Sequence, residues 1–297
     1  MIGASRLEVA RWGKLALLAS GAGLFAAGLV QSAMAAEDAA TLARIKEKAE
    51  IRLAYREDAA PFSMLTEGRP AGYSVALCLE VAQAVQRELK ISQMGISFIP
   101  VTAENRFDAI TKGEADLLCE ATTVTLARRE KVDFSIYTFV SGASLAIRPD
   151  GPTSVDALAG QKIGVLGGTT TQQDLDTTLK SQNITADVIV VRTHDEGFDL
   201  LKKGEISTYF ADRTILQEYL RHKAAGEGLL LADNYLTIEP YALAMPIDHD
   251  FRLAVDRALS RLFRTGGMIK IFRGSFDPEA KPSELLKALS RMSGLPE

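Results

Sequence analysis

A chain of 297 residues, 47% apolar and 24% charged, has material for one large domain or two smaller ones. Its net charge of −4, with no basic run, leaves no electrostatic footprint for nucleic acid. Two cysteines (Cys78, Cys119) and three scattered histidines (His194, His222, His249) are a poor set for a metal site, and neither metal nor cofactor is expected.

The chain opens like an export signal. Arg6, Arg11 and Lys14 make a basic start, residues 15–30 are uncharged and largely apolar, and Ala33-Met34-Ala35 supplies a small-x-small cleavage pattern. Residues 1–36 are therefore predicted to be a leader cut near Ala35/Ala36. The apolar run of about 16 residues falls short of the roughly 20 that span a bilayer. No cysteine follows it, which argues against a lipid anchor. Loss of residues 1–35 removes three basic residues and Glu8, moving the net charge from −4 to −6. The exported product is expected to be a soluble monomer.

Beyond the leader, strand and helix patterns alternate. A helix is predicted over 41–50, a strand over 51–55, and a long helix over 73–90 with Val75, Leu79, Ala82 and Val85 on one face. A strand over 96–101, a helix over 107–112 and a strand ending at Cys119 complete a first unit. The turn cluster Arg148-Pro149-Asp150-Gly151-Pro152 follows a strand over 145–147 and introduces a second unit. Its strands are predicted over 162–166, 187–192 and 208–211, each trailed by a helix. A strand over 241–245 and an amphipathic helix over 249–266 close the pattern. The simplest architecture is two α/β lobes, 37–142 plus 246–297 and 143–245, hinged near 143–147 and 241–245. Ligands of such sheets sit at the carboxyl ends of strands, here in the cleft between the lobes.

Several clusters fall at those strand ends. The segment 121–135, ATTVTLARREKVDFS, brings Thr122, Thr123 and Arg128 together after a strand. A guanidinium fork with neighbouring hydroxyls suits a carboxylate. Arg56 follows the first strand and Arg106 opens a helix after another. Gly167-Gly168-Thr169-Thr170 joins a strand to a helix, where free N–H groups favour an anion or where Thr169 simply caps. It is neither a dinucleotide nor a phosphate-binding loop of known pattern. His194 opens a helix, and Asp212 ends a strand, placed either to meet an ammonium group or to cap the next helix.

Together these residues resemble the periplasmic amino-acid-binding proteins of ABC importers (bacterial solute-binding proteins, family 3), most of all the glutamate/aspartate-binding branch. The most specific parts are Leu53-Ala54-Tyr55-Arg56 with Pro61-Phe62-Ser63, Gly72-Tyr73-Ser74, Pro100-Val101-Thr102 with Asn105-Arg106, the segment 121–135, and Gly168-Thr169-Thr170. The resemblance implies a two-lobed periplasmic-binding-protein fold, a periplasmic location, and partners in a membrane permease and its ATPase. It implies an α-carboxylate held by Arg128, Thr123 and Thr169, an ammonium held by Asp212, and a side-chain carboxylate met by Arg56, Arg106 and His194, three groups expected to add an excess of positive charge. It also implies a Cys78–Cys119 disulfide, which the residues alone leave open against two separate buried thiols. Ala103 and Ala121 stand where that branch carries serines, and Glu120 where a glycine is usual. A dehydratase of cyclohexadienyl acids on the same scaffold is the rival reading, with Glu120 the one carboxyl to nominate as a general acid.

Overall fold

A computed structural model describes residues 40–233 and 235–296, so the export signal read from residues 1–36 lies outside it. Helix α1 (Ala40–Lys48) leads into β1 (Glu50–Tyr55), in which Ile51, Leu53 and Ala54 are wholly buried. A small three-stranded sheet follows, of β2 (Asp58–Ala59), β3 (Ser63–Thr66) and β4 (Arg69–Ala71). Strands this short carry no readable period, so the pattern of the sequence gives no sign of them. Helix α2 (Tyr73–Glu88) comes next, then β5 (Gly95–Pro100), α3 (Arg106–Thr111), β6 (Leu117–Leu118), α4 (Leu126–Arg129) and β7 (Asp133–Phe134).

The chain then crosses through β8 (Phe139–Ser141) into β9 (Ala143–Ile147) and β10 (Lys162–Leu166). Helix α5 (Thr170–Ser181), β11 (Asp187–Val191), α6 (His194–Lys203), β12 (Thr208–Asp212), α7 (Arg213–His222) and β13 (Leu230–Leu231) follow. It returns through β14 (Glu239–Tyr241) and β15 (Ala244–Met245) to α8 (His249–Arg264), α9 (Gly267–Ser275) and α10 (Glu284–Ser293).

Two five-stranded sheets result, ordered β5-β1-β6-β15-β7 and β11-β10-β12-β9-β13. In the first, β1 runs parallel to β5 and β6. In the second, β10 runs parallel to β11 and β12. Parallel strands covered on both faces read as near-continuous apolar runs, as in Ile163, Val165 and Leu166 of β10. Helices α2 and α8 pack on each other behind the first sheet, and α8 presents Phe251, Ala254, Val255, Leu259 and Phe263 to the core. Its cap, Asp248, accepts from the backbone N–H of Phe251 at 2.9 Å and of Thr41 at 3.0 Å, so one carboxylate fastens the start of α8 to the start of α1. A disulfide joins Cys78 of α2 to Cys119, just after β6.

The strands expected to hinge the lobes each belong to a single sheet. Strand β9 pairs with β12 and β13, and β15 pairs with β6 and β7. The chain passes between the two five-stranded sheets through β8 and β14, which pair with each other, and Tyr241 of β14 also bridges Thr123. They are seated in an aromatic cluster: Phe139 of β8 and Tyr241 of β14 lie 6.3 Å apart, Phe62 meets both edge-on, and Tyr73 donates to Thr138 O at 2.9 Å. The run 241–245 looks like one strand because its residues are uniformly apolar. The structure breaks it in two where the chain changes sheets. Among the described residues no helix is long and apolar enough to cross a membrane.

Candidate functional site

The parallel order β5-β1-β6 brings Arg56, Arg106 and Glu120 together at the carboxyl ends of three adjacent strands. The order β11-β10-β12 does the same for His194, the threonines 169–171, and Asp212. The two sets face each other across a narrow cavity. Its wall includes Arg56, Arg106, Thr123, Thr169, His194 and Asp212, six of the seven residues named from the sequence. Arg128 stands one layer back, its Nη1 donating to Thr123 O at 2.7 Å and its guanidinium 5.0 Å from the Phe107 ring centre. A larger hollow of about 660 Å³ between α2 and α8 is lined by Glu80, Arg87, Glu88, Arg257 and Arg261, all exposed, and has none of this buried polar chemistry.

Each charged side chain is held by local structure. The Arg56 backbone N–H donates to Ser63 Oγ at 2.9 Å, and that hydroxyl donates back to Arg56 O at 2.8 Å, which pins the end of β1 to β3. The Arg56 guanidinium meets Asp58 Oδ1 at 2.7 Å and Glu120 Oε2 at 3.6 Å. Arg106 lies 3.4 Å from Glu120 Oε1 through Nε and donates from Nη2 to Gly168 O at 3.2 Å, across the cavity. Gly168 has φ +70°, and a Cβ there would stand 2.9 Å from Ala103 O, so only glycine lets the two loops meet so closely.

Thr169 is the cap of α5. Its hydroxyl accepts from Gln172 N at 3.1 Å and donates to Leu166 O at 2.8 Å. The hydroxyls that reach across are its neighbours'. Thr170 and Thr123 each donate to Glu239 Oε2, at 2.7 and 2.5 Å, and their oxygens lie 3.1 Å apart. Glu239 also accepts from Thr171 at 3.5 Å and Thr237 at 3.2 Å. Glu239, Tyr241, Thr170 and Thr171 line the cavity and were not singled out from sequence as ligand contacts. The threonine run was the one visible signal.

Asp212 caps α7, with Oδ1 accepting from Ile215 N at 3.0 Å, while Oδ2 accepts from the Tyr241 hydroxyl. Burial, reinforced by the charge of Glu239, raises its carboxyl to about 6. His194 Nδ1 lies 2.9 Å from the Tyr209 hydroxyl, and its backbone N–H donates to Asp58 Oδ2 at 3.3 Å. Burial and the nearby Arg56 push its imidazole down to about 4, so it is neutral at neutral pH. This corrects the expected excess of positive charge: His194 adds none, and Asp58 and Glu120 already face Arg56 and Arg106. Burial lowers Arg106 to about 10, which leaves it a cation.

His194 and Asp212 give stability opposite pH slopes. The unfolded histidine takes up a proton as pH falls from 6.5 towards 4 and the native one does not, so acidification costs stability there. Native Asp212 binds its proton near 6 and unfolded Asp212 near 3.8, so the same acidification stabilises. His194→Asn should therefore show a denaturation midpoint that rises, relative to wild type, between about pH 6 and pH 4. Parallel midpoints for the two proteins across that window would discount the buried neutral histidine.

Two sheets with their strand ends turned towards one cleft, walled by buried charges and hydroxyls, define a two-lobed α/β ligand-binding protein. The chain belongs to the bacterial extracellular solute-binding proteins, family 3, whose profile matches residues 51–277. It is similar to the L-glutamate/L-aspartate-binding protein of Pseudomonas aeruginosa, 28% identical over 266 residues that cover 88% of each chain. It is also similar to the glutamate/aspartate import solute-binding protein of Escherichia coli, 28% identical over 193 residues covering 64% of each. Among solved structures it shares its fold with an ancestral amino-acid-binding protein, a precursor of cyclohexadienyl dehydratase. The TM-score is 0.69 at 22% identity, over 80% of this chain and 99% of that one.

Proposed function

We propose that the protein is the periplasmic binding component of an amino-acid ABC importer, exported by residues 1–36, which holds one free α-amino acid in its cleft and delivers it to a membrane permease and its ATPase. The observation that carries this reading is the pattern of unpaired charge. Arg56 and Arg106 have carboxylate partners, whereas Arg128 makes no ion pair among the described residues. On the acidic side, Asp58 and Glu120 are matched to arginines and Glu239 is covered by threonine hydroxyls. Asp212 has no ion-pair partner among the described residues. One unmatched cation behind Thr123 and one unmatched carboxylate opposite suit the α-carboxylate and α-ammonium of a zwitterion. The contacts come from both sheets, so the ligand would favour the closed arrangement, with β8 and β14 as the pivot.

The ligands named for the relatives, glutamate and aspartate, are the first candidates for the side chain, and Arg56 and Arg106 in the wall support them. The pairing of both arginines with Asp58 and Glu120 favours a second candidate class, uncharged side chains. An enzymatic role is disfavoured, because Glu120, the carboxyl nominated as a general acid, has its two oxygens turned to Arg56 and Arg106. A thermal-shift screen of amino acids and dicarboxylates tests the proposal. At least one α-amino acid should raise the midpoint, and its analogues lacking the amino or the α-carboxyl group should not. A screen in which no amino acid stabilises the protein, or in which arogenate is turned over to an aromatic product, would overturn it.

A further inference from the structure

Glu120 is fully buried, and its position between Arg56 and Arg106 has a consequence for what the cavity can hold. Thr122 donates its hydroxyl to Oε1. With Asp58 on Arg56, the two arginines of the wall are matched by two carboxylates that the protein itself supplies. A second carboxylate on the ligand would be a third anion against two cations. Leaving one buried charge uncompensated is strongly unfavourable. The wider site makes this worse, since Asp212 and Glu239 outnumber the remaining Arg128.

The arginine is nevertheless not satisfied as a donor. Arg106 Nε and Nη1 and Glu120 Oε2 are buried and have no hydrogen-bond partner among the described residues. Arg106 is 2% exposed and lines the cavity. Buried polar atoms left unpaired are costly, so these donors call for an acceptor from the ligand. An uncharged oxygen satisfies them without disturbing the charge balance. A carboxamide does so with its carbonyl oxygen, and its N–H groups bring no negative charge with them.

We propose that Glu120 makes this site select an amino acid with an uncharged, carboxamide-type side chain over the acid of the same shape. The proposal rests on the amino-acid reading above and names the ligand class within it. Calorimetric titration of the wild-type protein with L-glutamine, L-glutamate, L-asparagine and L-aspartate tests it directly. The better amide should bind at least about tenfold more tightly than its matching acid. Glu120→Gln, which keeps the shape and removes the charge, should move that ratio towards the acid by about tenfold or more. A wild-type preference for the acid, a preference for a side chain without an oxygen acceptor, or a ratio unchanged in the variant overturns the proposal. The wild-type ratio needs no variant, so a Glu120→Gln protein that fails to fold leaves the proposal exposed to it. Loss of the amino-acid reading itself would look different, as no binding of any amino acid.

Discussion

Arg128→Ala should weaken ligand binding by about 30-fold to several thousand-fold, the equivalent of the 2–5 kcal/mol lost when one member of a desolvated charge pair is removed. The side chain does two things at once. It is the cation of the site with no ion-pair partner among the described residues, and its Nη1 holds the Thr123 carbonyl at 2.7 Å. Burial depresses its guanidinium, and the facing charges of Glu120 and Glu239 oppose that shift. In the proposed binding mode, losing the cation would strip the α-carboxylate of its counter-charge and release the loop that presents Thr123. Arg128→Lys should recover part of the affinity, because the charge returns without the planar fork. Calorimetry on both variants, with circular dichroism to confirm the fold, checks this. Affinity near wild type in Arg128→Ala would remove Arg128 from the site.

Breaking the Cys78–Cys119 bond should lower stability by about 4 kcal/mol, the chain-entropy value for a loop closed by residues 41 apart in sequence. Urea unfolding of the Cys78→Ala/Cys119→Ala protein, compared with wild type before and after reduction, measures the loss. Reduced wild type and the double variant should coincide. A midpoint unmoved by reduction, with both thiols shown to be free, would contradict the expectation. Because the bond ends one residue before Glu120, its loss should also loosen the placement of Arg56 and Arg106 against that carboxylate.

Much of the frame was legible because burial writes a period into the chain. The strand predicted over 162–166 coincides with β10, and the helix predicted from 249 coincides with α8 at its start. The N-terminal ends of helices fell where Thr193, Asp212 and Asp248 offered caps. The small sheet of β2 to β4 was not legible, and neither were α9 and α10, which lay beyond the last predicted element. The candidate site was legible as residue types at strand ends but not as a balance of charge. Arg56 and Arg106 stood out as cations. That they share Glu120 depends on β5, β1 and β6 lying side by side, which no local pattern states. Glu239 shows the same limit more sharply: its partner Thr123 is 116 residues away, and it lies outside the strand predicted over 241–245.

The bonds between the two halves bear on how selectivity can arise. Arg106 to Gly168 O, the Asp58 carboxylate to the His194 backbone, and the Thr123–Glu239–Thr170 bridge are made by the protein with itself. A contribution the protein makes on closing around every ligand cancels from the ratio of any two affinities. Such bonds set how firmly the cleft shuts but carry no information about its cargo. Discrimination is left to the few atoms a ligand must touch, and a single buried carboxylate paired with two of the arginines in that wall can outweigh the whole closing surface in deciding what is held.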